Sequence, residues 1–353
     1  MFIPGDALPA RPPMSDEKSK VTAIGIGSAG TRIVSLLSKK SLLVDRFAYV
    51  SCDSADLAGA DGLGVLVDSP VDQKLTPAMA RGLAMRDRVR IKELVEGSKV
   101  VFVVAGLGGA TGSGIAPYVA SVAQESGATT VGVAVMPFEF EKKMRFYAGV
   151  SLRHFRAQSR GVVVIDNDTL MRSSPDDSTL PDLYVSANTE AVRSLGALLS
   201  AAAEGSVPVG LNKLLGTVIR DGYSLLGVST SDAPDKAEEG LAGAVVSLSK
   251  LAETKTATHA VVILSGDGSL SGQEVGMVVS RLGTMMRNQG VDVEYCVGSH
   301  ASPQLQVSLL ASGFTSTKYD EYDPLDRLLG GRVIDDEMDA SFTEGLEALY
   351  PCD

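Results

Sequence analysis

The fifteen residues from Val100 to Gly114, VVFVVAGLGGATGSG, combine a strand and a loop whose chemistry can be stated. Five apolar residues, four of them Val, read as a strand buried on both faces. Five glycines follow within nine residues, and then a run that opens a helix. Strand, glycine turn and helix start form a cradle for phosphate. Glycine lets the backbone approach an anion, the turn N–H groups point inward, and the helix N-terminus adds partial positive charge. Gly108, Gly109, Ala110, Thr111 and Gly112 are the candidate contacts, with the Thr111 and Ser113 hydroxyls as further donors. The loop holds no Lys, so it is not a P-loop ending in Gly-Lys-Ser/Thr.

A second glycine turn lies in Val21 to Gly30, VTAIGIGSAG, where Gly25, Gly27 and Gly30 match G-x-G-x-x-G. The stretch also resembles the strand and glycine loop that open FtsZ, and that resemblance implies phosphate contacts at Gly27, Ser28, Ala29, Gly30, Thr31 and Arg32. Asp53, at the end of the next strand, stands where dinucleotide folds keep a ribose-binding acid. A nicotinamide- or flavin-dependent oxidoreductase is therefore a rival reading at this point.

The elements that must position these loops follow from periodicity. Thr31 to Lys40 reads as an amphipathic helix, Phe47 to Ser51 as a strand, Asp56 to Ala80 as a loop and Ala78 to Gly97 as a charged helix. Helix Ser113 to Glu125, strand Thr129 to Val135 and strand Gly161 to Ile165 come next, then a long helix from Pro181 to Glu204. Beyond it, a helix over Pro234 to Lys250 and a strand over His259 to Leu264 precede helix Gln273 to Asn288 and strands Val291 to Val297 and Gln304 to Ala311.

GGATGSG (Gly108 to Gly114) resembles the tubulin/FtsZ signature GGGTG(S/T)G, with Ala110 for the third glycine. PFEFEKKMR from Pro137 resembles the FtsZ segment Pro-Phe-x-Phe-Glu-Gly-x-x-Arg, and ILSGDGSLSGQEV and LLASGF resemble segments of its second domain. The resemblance runs in order from about Val21 to Phe314. It implies an α/β fold: a parallel nucleotide-binding sheet with helices on both faces, a long central helix, and a second, smaller α/β domain. The implied divisions are an N-terminal arm (1–20), a GTP-binding domain (21–180), the central helix (181–204), a second domain (205–318) and an acidic tail (319–353). By the same resemblance the cofactor is GTP or GDP, with Mg2+ as a further candidate, and partners are other copies of the chain or a related subunit in a filament. Glu141 would contact ribose, Arg145 would lie near the nucleotide, and Asn167, Tyr184 and Asn188 would receive guanine, with Thr189 where FtsZ has Asp. Read without the resemblance, Glu141 and Arg145 are an i,i+4 helix pair, Asn167 a turn residue and Tyr184 a core aromatic.

One departure bears on activity. In FtsZ the connection after the long helix carries acids that enter the neighbouring subunit's site and polarise the attacking water. Here no Asp or Glu occurs from Gly205 through Arg220, and the matching positions hold Asn212, Lys213, Leu214, Leu215 and Thr217. No catalytic residue is assigned, and hydrolysis is expected to be weak or lost, with Asp221 the nearest downstream acid.

Composition sets outer bounds. The net charge of −11 argues against a nucleic-acid partner. Three widely spaced cysteines and three scattered histidines give no disulfide or metal pattern. No apolar run is long enough for a membrane span, so a cytoplasmic protein is expected. From Tyr319 onward eleven Asp/Glu face two Arg, and SFTEGLEALY places Phe342, Leu346, Leu349 and Tyr350 on one stripe behind a Ser341–Glu344 capping box. That tail is the expected contact for a division or anchoring protein.

Overall fold

The computed structural model describes residues 20–40, 43–69, 74–170, 179–201, 210–220, 222–267, 270–299 and 304–322. The expected arm before Lys20, residues 202–209 of the connection, Asp221 and the tail beyond Tyr322, including its amphipathic stripe, lie outside the described residues.

Strand β1 (Val21–Ile26) runs into helix α1 (Gly27–Leu37), followed by β2 (Arg46–Ser51), the one-turn α2 (Ser54–Leu57) and β3 (Leu63–Leu66). Helices α3 (Pro77–Arg86) and α4 (Arg88–Val95) precede β4 (Val100–Gly106), α5 (Ala110–Glu125) and β5 (Thr129–Met136). Then come α6 (Lys142–Ala157), β6 (Gly161–Asp166), the one-turn α7 (Asn167–Leu170) and the long α8 (Leu180–Ala201). The second half is α9 (Leu211–Val218), β7 (Ser224–Ser231), α10 (Lys236–Ser249), β8 (His259–Gly266), α11 (Gly272–Met285), β9 (Asp292–Ser299) and β10 (Leu305–Ser312). A 3-10 turn, Lys318–Glu321, follows.

The strands form one sheet in the order β3-β2-β1-β4-β5-β6-β7-β10-β8-β9. From β3 to β7 every pairing is parallel, and β10 is antiparallel to both its neighbours. Strands β7 to β10, with α10 and α11, make up the far end of this sheet. Its strands join the first half through only two residue pairs, Val163–Ser224 and Val164–Leu225. Side chains alternate across the sheet, and both faces are covered. Ile24, Val101 and Val103 pack with α3 to α6 on one side, whereas Ala23, Val100 and Val104 pack with α1, α8 and α9 on the other. Helix α8 buries Leu195, Leu198 and Leu199 in a cluster with Val163 of β6 and Val261 of β8, so it braces both halves.

Several element boundaries differ from the sequence reading. The stretch read as a loop before α3 contains β3, which pairs with β2, and α3 opens at Pro77 behind a Thr76 cap whose Oγ1 accepts from Met79 N at 3.3 Å. The single charged helix is two, parted at Asp87. Strand β7 lies in what was read as connection, because its backbone is needed to pair with β6 and β10. The Asn212 to Thr217 positions are helical, not loop. The first residues of the expected tail are folded: Tyr319 and Tyr322 are buried.

Candidate functional site

The strand order reverses direction between β1 and β4, so the loops leaving these strands open a crevice at the sheet's switch point. Register brings the loops together. Ile26 pairs with Ala105, Gly106 with Val135, and Met136 with Asp166, so the ends of β1, β4, β5 and β6 lie along one edge. All the expected contact loops leave from that edge.

Both glycine turns pass directly into helices, earlier than periodicity indicated. Gly27 adopts φ +66 and begins α1 at once, while Ser28 to Arg32 form its first turns. Gly109 is the N-cap of α5, and Ala110, Thr111 and Gly112 are its first turn. Neither helix has a side-chain cap or an acidic residue in its first turn, so the N-terminal N–H groups and partial positive charge face the crevice. The turns abut: a Cβ on Gly27 would lie 3.3 Å from Thr111 Cβ, and one on Gly106 2.8 Å from Ala29 Cβ. Two helix N-termini converging on one crevice can receive a chain of phosphates.

The hydroxyls divide by role. Ser113 Oγ is buried and accepts from Gly108 N at 2.8 Å, shaping the turn, while its own O–H stays available to donate. Pro117 inside α5 cannot bond the Ser113 carbonyl, and Ser151 Oγ of α6 donates to that oxygen at 2.8 Å instead. Thr111 is half-buried, and Cys52, just past the end of β2, has its thiol pushed up by burial. Thr31 Oγ1 is buried without a hydrogen-bond partner among the described residues. Arg32 is exposed, and Asp53 is engaged locally, its Oδ1 accepting from Ala55 N at 2.8 Å as the cap of α2.

At the other end of the edge stand the residues expected to read a base and sugar. Asn167 opens α7 and is buried, with Oδ1 lacking a partner among the described residues. Asn188 is buried on α8, one turn after the half-buried Tyr184 on the same face. Thr189 is exposed and bonds back to Val185 O at 2.8 Å. Glu141 uses both oxygens within the protein: Oε2 accepts from Phe138 N at 2.8 Å, and Oε1 accepts from the Tyr184 hydroxyl. Burial, then the Glu141 carboxylate, hold the Tyr184 phenol well above its usual range. A ribose hydroxyl on Glu141 would share or displace the Tyr184 bond. Arg145 reaches Glu139 O at 3.4 Å and lies 4.2 Å over the Tyr322 ring.

The structure adds residues that the sequence reading missed. Asp166 is fully buried at the end of β6, and Lys318 and Tyr319 reach its carboxylate. A charged residue closing a Val-rich strand was the available signal, because a buried carboxylate needs partners. Far from this edge, Asn212 and Lys213 are exposed on α9, Lys213 pairing with Glu294 at 2.8 Å, while Leu214, Leu215 and Thr217 are buried. Among the described residues no three His, Cys, Asp or Glu side chains group to hold a metal, and no helix is long and apolar enough to cross a membrane.

A doubly wound sheet with two uncapped helices converging on its switch point defines an α/β protein of the anion-receiving, mononucleotide-site class. The description "Tubulin/FtsZ family, GTPase domain" matches residues 74–175. The chain is 25% identical over 334 residues to the cell division protein FtsZ of Haloferax mediterranei, covering 92% of this chain and 78% of that protein. It is 24% identical over 314 residues to FtsZ of Mycoplasmopsis pulmonis, covering 85% and 78%. The empty FtsZ dimer of M. jannaschii has a TM-score of 0.76 at 23% identity, over 84% of this chain and 89% of that one. The GTPγS-bound protofilament of CetZ2 from Haloferax volcanii has a TM-score of 0.70 at 22% identity, over 86% and 95%. Residues 74–175 thus match a tubulin/FtsZ-family GTPase domain, and over most of its length the chain is similar to FtsZ and has the fold of FtsZ and CetZ. The nicotinamide- or flavin-enzyme alternative is not favoured.

Proposed function

We propose that this chain is a guanine-nucleotide-binding filament subunit, acting in cell division or cell shape, in which hydrolysis is slow or lost. The observation that carries the reading is the meeting of the two glycine turns, with an uncapped helix opening from each, at the β1/β4 crevice. Gly27 to Arg32 and Gly108 to Gly112 would hold the phosphates through backbone N–H groups. Thr31 Oγ1 and Asn167 Oδ1, both buried and unpartnered among the described residues, are in search of a donor or acceptor that a ligand can supply. Asn167, Asn188 and the Tyr184 ring would receive the base, since an Asn amide offers donor and acceptor to a purine edge. Mg2+ would be held mainly by phosphate oxygens and water, as it commonly is.

Weak hydrolysis rests on α9. Leu214 and Leu215 are core residues, Thr217 is buried, Lys213 is a cation, and none can orient water as a carboxylate does. Loss of a positioned general base costs about 10²–10⁴-fold in rate. Phosphate positioning is separate from that step, so binding and assembly need not fall with it. Polymers would then persist with triphosphate, or the chain would join filaments of a competent relative. A working GTPase is the second reading, with Asp221, or Glu294 beside Lys213, supplying the acid. The test is phosphate release per subunit alongside light scattering for wild type, Asp221→Ala and Glu294→Gln. Scattering with turnover at least a hundredfold below an ordinary FtsZ is expected. Normal turnover, lost in either variant, would establish the second reading instead. Nucleotide released from the purified protein should be GTP or GDP.

A further inference from the structure

The segment after β10 is tied to the floor of the base-binding end by contacts that the functional reading does not use. Asp166 is wholly buried, and each of its carboxylate oxygens has a task. Oδ1 accepts from Thr169 N at 3.2 Å, and Thr169 Oγ1 returns a bond to Asp166 O at 2.8 Å, which closes the α7 turn that Asn167 begins. Oδ2 accepts from Tyr319 Oη at 2.9 Å and pairs with Lys318 Nζ at 2.6 Å. Lys318 Nζ also lies 4.0 Å from Asp168, whose Oδ1 accepts from Glu139 N at 3.1 Å in the loop carrying Phe138 and Glu141. Asn167 is thus bracketed by two carboxylates that share one ammonium. Three residues on, Tyr322 lies beneath Arg145, and its backbone approaches α6 so closely that a Cβ on Gly149 would come within 2.5 Å of the Tyr322 carbonyl carbon.

We propose that Lys318 and Tyr319 are positioning residues for the base: by holding the buried Asp166 carboxylate they fix the α7 turn that presents Asn167. The strap Lys318 to Tyr322 is on this view part of the nucleotide site. A buried carboxylate left without these partners must draw in water or shift its backbone, and either moves Asn167. The phosphate-binding turns are on other strands and would be untouched. This inference rests on the guanine-nucleotide reading above.

The test measures affinity for GTP and for inorganic tripolyphosphate, which has no base, on the full chain. Variants are Lys318→Met, Tyr319→Phe and Lys318→Arg, which keeps the charge. Gly149→Ala displaces Tyr322, and with it the strap that carries Lys318 and Tyr319 to Asp166, and serves if Lys318→Met fails to fold. Lys318→Met, Tyr319→Phe and Gly149→Ala should lose about five- to tenfold in GTP affinity and keep tripolyphosphate affinity, whereas Lys318→Arg should bind GTP like wild type. Equal loss for both ligands would reduce the strap to a packing element and overturn the proposal. So would unchanged GTP affinity in Tyr319→Phe and Gly149→Ala. Wild type that binds tripolyphosphate but not GTP would overturn the guanine reading first, and this inference with it.

Discussion

At the scale of single residues, Gly109 and Gly112 look interchangeable in the sequence, two glycines of one phosphate-type turn. Packing separates them. A Cβ on Gly109 meets nothing within 4 Å, and its φ of −83 suits any residue. A Cβ on Gly112 would sit 2.0 Å from the Gly106 carbonyl oxygen, so the backbone itself must move. Gly109→Val should therefore keep the melting temperature and lose more than about tenfold in nucleotide affinity, since its side chain projects where phosphate would lie. Gly112→Ala should cost about 1–3 kcal/mol of stability, as overpacking does. Thermal melts with a nucleotide titration check both. Equal melting temperatures for the two variants would contradict the packing argument, and unaltered affinity in Gly109→Val would remove α5 from the site.

At the scale of elements, helix starts were the least legible feature. Helices α1 and α5 both begin inside the glycine runs, where composition alone reads as loop, because the strand before each turn delivers the chain at an angle that glycine can accept. Where a cap residue is present the start was plainer. Ser271 and Glu274 form a reciprocal capping box at the head of α11, Ser271 Oγ accepting from Glu274 N at 3.2 Å and Glu274 Oε2 from Ser271 N at 2.8 Å. These bonds to the Ser271 backbone and hydroxyl hold the Glu274 carboxyl below its ordinary 4.5. A depressed carboxyl contributes stability above its unfolded value and loses it as pH falls through the folded one. Ser271→Ala should then cost about 1 kcal/mol at neutral pH. The difference from wild type should narrow below about pH 4 as Glu274 protonates. Denaturant melts at pH 7 and at pH 3.5 read this, and a constant difference at both would assign the loss to something other than the box.

At the scale of the whole molecule, the ten-stranded sheet is continuous but narrow at one place. Two residue pairs between β6 and β7 join the halves, and the rest of the connection is made by α8 and by the strap from β10 to Asp166. The acidic run, by contrast, starts where the last described contact ends. Residues 323–353 carry nine Asp/Glu and two Arg, a composition suited to a solvated or basic-surface-binding segment. Truncation after Tyr322 should leave the melting temperature within about 2 °C of wild type. It should preserve light scattering with GTP and abolish cellular localisation. A collapse of the folded body would show that the amphipathic stripe at Phe342 to Tyr350 packs on the protein itself.

The sequence by itself determined the central strands of the first half, both glycine turns and the resemblance to FtsZ, because buried parallel strands write continuous Val-rich runs and a phosphate turn demands glycine at fixed spacing; the short β3 and the helix α6 left no such mark. It also placed Asn167, Tyr184 and Asn188 on elements that the fold brings to one sheet edge. Only the tertiary structure decided which of those residues are spoken for. Glu141 is engaged by Tyr184, forty-three positions away, and Asp166 by Tyr319, one hundred and fifty-three positions away. A carboxylate's role depends on what neutralises it when water is removed, and those partners come from segments that carry no local signature. For the same reason Tyr319 and Tyr322 read as the start of a solvated acidic tail, and the fold buries them, with Tyr319 and Lys318 on the Asp166 carboxylate.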